Sequence, residues 1–250
     1  MKKIILSIGL ILGLLSGFAQ SNNSKLWVDK DDSGKYGLVD ADKNTVVNYQ
    51  YDEIKKMTSG NISWNQFFRT KLNGKYGIID KFGKEVIAPK YDEITLKSQA
   101  ADWIETKLDG KIGFADFVYS EKTGKTDIIT EIFTPAYDDI FYAAGEGSPS
   151  GFVQVKLNNK WGLVNEQNGK EITGMKYDKV SDFFMYQGYN CAEVTLNGKY
   201  GLIDAEGNEI VACKYDDILS IEGDGDDKDK ITVQLGDREF MINKKGQVVK

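Results

Sequence analysis

Apolar and polar residues alternate in short runs along most of this chain, and the runs recur. Phe68, Thr70 and Leu72 are separated by Arg69 and Lys71; Val153, Val155 and Leu157 by Gln154 and Lys156; Ala192, Val194 and Leu196 by Glu193 and Thr195. A period of two puts the apolar set on one face of a β-strand. Asn73-Gly74 and Asn197-Gly198 follow directly, with Asp109-Gly110 and Asn158-Asn159 at the matching places. Both members of an Asn-Gly pair tolerate positive φ, so each pair predicts a tight hairpin. A second turn comes after the return strand, as Asp80-Lys81-Phe82-Gly83 and Asp204-Ala205-Glu206-Gly207. Glu85-Val86-Ile87 and Glu209-Ile210-Val211 then read as a third short strand. A Tyr-Asp segment closes the unit, as a fourth strand or a turn.

The return strands share a motif. It reads Lys35-Tyr36-Gly37-Leu38-Val39-Asp40, Lys75-Tyr76-Gly77-Ile78-Ile79-Asp80, Lys160-Trp161-Gly162-Leu163-Val164-Asn165 and Lys199-Tyr200-Gly201-Leu202-Ile203-Asp204, with Lys111-Ile112-Gly113-Phe114-Ala115-Asp116 as a degenerate copy. The glycines at 37, 77, 113, 162 and 201 stand 36 to 49 residues apart. The following tyrosines are Tyr51, Tyr91, Tyr137, Tyr177 and Tyr215, and the longer interval to Tyr137 locates an insertion over residues 117–133. A worn sixth copy at residues 235–243 lacks both the aromatic-glycine pair and a Tyr-Asp segment. These motifs resemble the WG-repeat family, also called KWG repeats. The resemblance covers nearly all of the chain after the first two dozen residues and is closest over residues 73–94. It implies a bacterial protein made of β-rich tandem repeats, and implies no defined activity.

Units of this length cannot bury an apolar face alone, so they are expected to stack. The expected fold is all-β: tandem antiparallel β-hairpin repeats in an open solenoid-like array over residues 25–250, as five repeats plus the degenerate C-terminal copy. A β-propeller is the alternative, because four short strands in about 40 residues also make a blade. Glycine inside a strand marks a close approach. Gly37, Gly77, Gly113, Gly162 and Gly201 are therefore expected to lie under an aromatic ring of a neighbouring unit.

The first residues change the picture of where the chain works. Met1-Lys2-Lys3 is basic, residues 4–15 are strongly apolar, and Gly17-Phe18-Ala19 supplies small residues for cleavage before Gln20. Residues 1–19 are expected to be a signal peptide, too short in its apolar core for a membrane span. The mature chain is then exported, periplasmic or extracellular, with no membrane span after cleavage. A net charge of −6 argues against nucleic acid as a partner.

Candidate chemistry is sparse. The chain has no histidine, which excludes His-based triads. It also lacks the full Gly-x-x-x-x-Gly-Lys-Ser/Thr pattern of a phosphate-binding loop, and no cofactor is expected. Two columns of acids recur: Asp40, Asp80, Asp116, Asn165, Asp204 and Asn243, then Asp52, Asp92, Asp138, Asp178 and Asp216. Asp and Asn exchange freely in the first, which suits side chains that bond turn amides. Residues 222–229 are acidic but break calcium-loop spacing, so no metal is expected. Cys191 and Cys213 leave two states open, one disulfide or two thiols. Aromatics gather between units, at Trp64, at Phe141 and Tyr142, and at Phe183, Phe184, Tyr186 and Tyr189. Such rings either cover the ends of units or bind a ligand. The expectation is a non-enzymatic binding module for a protein or cell-envelope glycan. A purely structural spacer is the alternative, and a carboxylate-based hydrolase ranks third.

Overall fold

The computed structural model describes residues 25–58, 66–98, 102–120, 125–142, 151–186, 189–222 and 230–249. Among these residues there are 23 strands in six small antiparallel sheets and no α-helix. The first sheet holds β1 (Trp27–Lys30), β2 (Tyr36–Val39) and β3 (Thr45–Tyr51). The second holds β4 (Glu53–Lys56), β5 (Phe67–Leu72), β6 (Lys75–Asp80) and β7 (Glu85–Tyr91). The third holds β8 (Glu93–Ser98), β9 (Asp102–Leu108), β10 (Lys111–Ser120) and β11 (Lys125–Tyr137). The fourth has β12 (Asp139–Phe141), β13 (Phe152–Leu157) and β14 (Lys160–Asn165), with bridges Trp161–Tyr177 and Val164–Glu171 along its edge. The fifth has β15 (Lys179–Val180), β16 (Phe184–Tyr186), β17 (Tyr189–Leu196), β18 (Lys199–Asp204) and β19 (Glu209–Tyr215). The sixth has β20 (Asp217–Glu222), β21 (Lys230–Leu235), β22 (Arg238–Ile242) and β23 (Val248–Val249).

The hairpins form where the turn pairs predict them. Asn73 and Gly74 have φ of 50° and 80°, and Asn197 and Gly198 have 53° and 72°. These positive angles match the right-handed twist of the flanking strands. The Tyr-Asp segment is a junction, where one sheet ends and the next begins. Tyr51 finishes β3 in the first sheet, and the Asp52 N–H already bonds the Lys71 carbonyl in the second. Each sheet after the first therefore takes its opening strand from the tail of the preceding sequence repeat. The insertion in the third unit lengthens one hairpin: β10 and β11 stay paired out to Ser120–Lys125.

Packing follows from alternation along the motif strand. The residue after glycine faces the next sheet, and the one after that faces the previous sheet. Thus Ile78 joins the core between the second and third sheets, whereas Ile79 joins that between the first and second. Five apolar clusters result, each between consecutive sheets and each holding one buried tyrosine: Tyr51, Tyr91, Tyr137, Tyr177 or Tyr215. Among the described residues no cluster joins the sixth sheet to the first. The two outer faces are also more polar than the inner ones. Asp29 and Asp31 stand where the second sheet has Thr70 and Leu72, and Lys230 stands in the column of Phe67. Such polar ends are what a finite array of repeats needs for solubility. Among the described residues the molecule is a series of tandem β-hairpin repeats in small antiparallel sheets, with no closed barrel.

The repeat glycines sit under backbone, not under a neighbour's ring. Tyr76 pairs with Tyr91 and Ile78 with Ile87, so three residues of β7 bulge opposite the single Gly77. A Cβ on Gly77 would lie 2.6 Å from the Ile87 carbonyl oxygen and 2.8 Å from the Pro89 nitrogen. At Gly37 and Gly201 the same test meets the Val47 and Val211 carbonyls at 2.5 and 2.6 Å. The obstacle is the bulged third strand of the same sheet, which is why the expected inter-unit ring is not needed.

Candidate functional site

The most regular polar constellation in the molecule is the junction between sheets. The lysine that opens each motif bonds the aspartate of the following Tyr-Asp segment: Lys35–Asp52 at 2.6 Å, then Lys75–Asp92, Lys111–Asp138 and Lys199–Asp216 at 2.5 Å, and Lys160–Asp178. The other carboxylate oxygen accepts a backbone N–H from the hairpin of the next sheet, from Gly74, Asp109, Asn158, Asn197 and Gly236 in turn. One side chain thus ties a strand of one sheet to the turn of the next. The lysine ammonium, and after it the turn N–H, hold all five carboxyls below the usual aspartate range. Groups so held are ionised acceptors near neutral pH and poor proton donors. The structural reason for the recurring lysine was missed in the sequence. Its signal was the separation of 17 residues between Lys35 and Asp52, repeated in Lys75–Asp92 and Lys199–Asp216.

The first column of acids does what its Asp/Asn exchange predicts. Asp40 accepts the N–H groups of Asp42 and Asn44, Asp80 those of Phe82 and Lys84, and Asn243 those of Lys245 and Gln247. Asp116 departs from the column, because the lengthened hairpin carries it inside β10 opposite Thr130. Among the described residues no three Cys, Asp or Glu side chains converge to hold a metal.

The candidate aromatic residues divide. Phe141 and Phe184 are exposed, at 40% and 37%. Phe183 is buried, its ring centroid 4.3 Å from that of Phe152 in the core between the fourth and fifth sheets. Tyr142 is half-buried against Trp103 and Phe114 and donates its hydroxyl to Glu166 at 3.1 Å. Burial, then the nearby Glu166, raises its pKa. The Phe183 ring is therefore core, and the Tyr142 ring packs partly buried against a core. Tyr186 and Tyr189 pair across the β16–β17 hairpin. Trp64 lies outside the described residues, as does most of the acidic 222–229 segment. Phe141 and Phe184 are on adjacent sheets, and the Gln154 amide donates across the gap to the Ser181 carbonyl at 3.0 Å.

The two cysteines are both free thiols. Cys191 is paired with Asp204, while Cys213 lies beside Gly201. Three residues of β18 separate those levels, about 10 Å, and a disulfide needs Cα atoms within about 7 Å. Burial pushes the Cys191 thiol up to about 11, so it is an inert core residue.

The WG containing repeat matches residues 36–76, 76–96, 161–200 and 200–237. No curated protein matches the chain. Among solved structures, one similar chain is titled "Crystal structure of the eukaryotic initiation factor", at a TM-score of 0.30 and 12% identity, over 91% of this chain and 63% of that one. Another is Kluyvelomyces marxianus Hsv2, at a TM-score of 0.20 and 8% identity, over 72% of this chain and 73% of that one. Likenesses this slight carry neither fold nor function. Among the described residues no helix is long and apolar enough to cross a membrane.

Proposed function

Because the chain belongs to the family of WG-containing repeat proteins, we propose that it acts as a binding module, exported and non-catalytic. It holds a protein or envelope-glycan partner through the segments that link its repeats. The observation that carries this reading is the exposure of Phe141 and Phe184 on adjacent sheets. Exposed aromatic side chains are enriched where proteins bind partners. The repeated carboxylates, in contrast, are engaged by turn amides and lysines, which leaves them poorly suited to acid-base work.

The test is a Phe141→Ser/Phe184→Ser double variant, probed against envelope extracts and arrayed glycans. Phe183 is left intact because it belongs to the core. The expected result is loss of the bound partner with an unchanged melting curve. Undiminished binding overturns the proposal. Export is tested separately by N-terminal sequencing of the protein recovered from cells. A start at Gln20 supports it, and retention of Met1 refutes it.

A further inference from the structure

Two departures from the repeat meet at one place. The first is in the turn that follows each motif strand. Its tip is Ala41-Asp42, Gln167-Asn168, Ala205-Glu206 and Lys244-Lys245 in four sheets, but Lys81-Phe82 in the second. Phe82 is 59% exposed. The second departure is the lengthened hairpin of the third sheet, which brings Ile129 of β11 into the core beside Phe67. Together Phe67, Phe82, Val86 and Ile129, with the polar Gln66, Asp80, Lys81, Lys84 and Glu85, line a cleft of about 290 Å³. Neither departure alone would make this cleft, since the turn supplies its exposed ring and the insertion its far wall.

The chemistry of the lining selects an occupant. Two lysines and two carboxylates in the lining cancel, so neither an anion nor a cation is favoured. One Asp80 oxygen is committed to the N–H groups of Phe82 and Lys84. The Lys81 ammonium lies 5.1 Å from the centre of the Phe82 ring and covers one face of it. What remains is a lining of apolar side chains with mixed donors and acceptors. The volume falls just below the roughly 300–1,000 Å³ of sites for drug-sized ligands, so it admits one ring and not a long chain. An uncharged pyranose fits both demands, with C–H faces to lie on Phe82 and hydroxyls to reach Gln66, Lys84 and Glu85. We propose that this cleft between the second and third sheets is a subsite for a single neutral sugar ring of a glycan. It extends the binding reading above but places the contact away from Phe141 and Phe184.

The experiment uses the full chain and three probes, cellohexaose, laminarihexaose and chitohexaose, followed by calorimetry and by chemical-shift changes. At least one probe is expected to bind, and Phe82→Ala to weaken it tenfold or more at an unchanged melting temperature. Loss in Phe82→Ala with retention in Phe141→Ser/Phe184→Ser supports the cleft even if the loop-face reading fails. No binding of any probe at millimolar concentration overturns the cleft. So does equal binding by Phe82→Ala, or displacement of the sugar by a phenylalanine-containing peptide that binds more tightly.

Discussion

Thr70 and Thr106 are buried between sheets, and neither hydroxyl has a hydrogen-bond partner. Both face their motif glycine in register, and at that register position the fourth, fifth and sixth sheets have Val155, Val194 and Val233. Replacing an unpaired buried hydroxyl by a methyl of the same shape removes a desolvation cost. Thr70→Val is therefore expected to stabilise the protein by about 1 kcal/mol, read from urea midpoints; a lowered midpoint would refute this account. The opposite sign is expected for Gly77→Ala. Its new Cβ meets backbone that cannot move aside, so the loss should be about 1–3 kcal/mol. The sixth sheet explains itself by the same logic. Phe240 stands in the glycine column there, and β23 pairs only from Met241 onward, without a bulge opposite Phe240.

Strands and hairpins were legible in the sequence because their signals are local. Alternation fixes the face of β5, and Asn73-Gly74 fixes the turn after it. The junctions were not, because the pairing of Glu53 with Lys71 is a tertiary choice that no short window records. The bulge was equally hidden, and only its glycine showed. At this scale the junction aspartates make a prediction about acidity. Their carboxyls are held below the usual value in the folded chain, so between the folded and unfolded values the unfolded chain binds more protons. The stabilisation is then present above about pH 4 and is lost as pH falls through the lowered values. Melting temperature is expected to be level from pH 7 to 5 and to drop below pH 4. Added salt should reduce this drop, since the pairs are partly exposed. Asp92→Asn should also reduce it, because the amide keeps an acceptor for the Asp109 N–H but carries no charge. An unaltered acid limb in that variant would show that the acid sensitivity arises elsewhere.

At the scale of the whole molecule, six sheets share five cores among the described residues, each core between consecutive sheets. An open series of this kind is more extended than a globule of equal length. A compact domain of that size has a radius of gyration of roughly 17 Å, and small-angle scattering should return a clearly larger value. A value at the compact limit would mean that the first and last sheets meet in solution. The candidate aromatic residues show how far sequence reasoning reached. It located Phe141 and Phe184, which are exposed, together with Phe183 and Tyr142, whose rings pack inward. Inside and outside could not be told apart there, because these segments lack the strict alternation that orients β5 or β17. Phe82 was read only as part of a turn, since a single ring there has no periodic partner to mark it.

The strand exchange at each Tyr-Asp junction has a practical consequence for dissecting the protein. A scissor placed between β4 and β5, or between β8 and β9, strips the second or third sheet of its outermost strand and bares an adhesive edge. Cuts that respect the architecture fall instead at the Tyr-Asp segment, after Asp52 or Asp92, where the sheets on both sides keep all of their strands. Modules for shuffling or shortening this array should be phased by that rule.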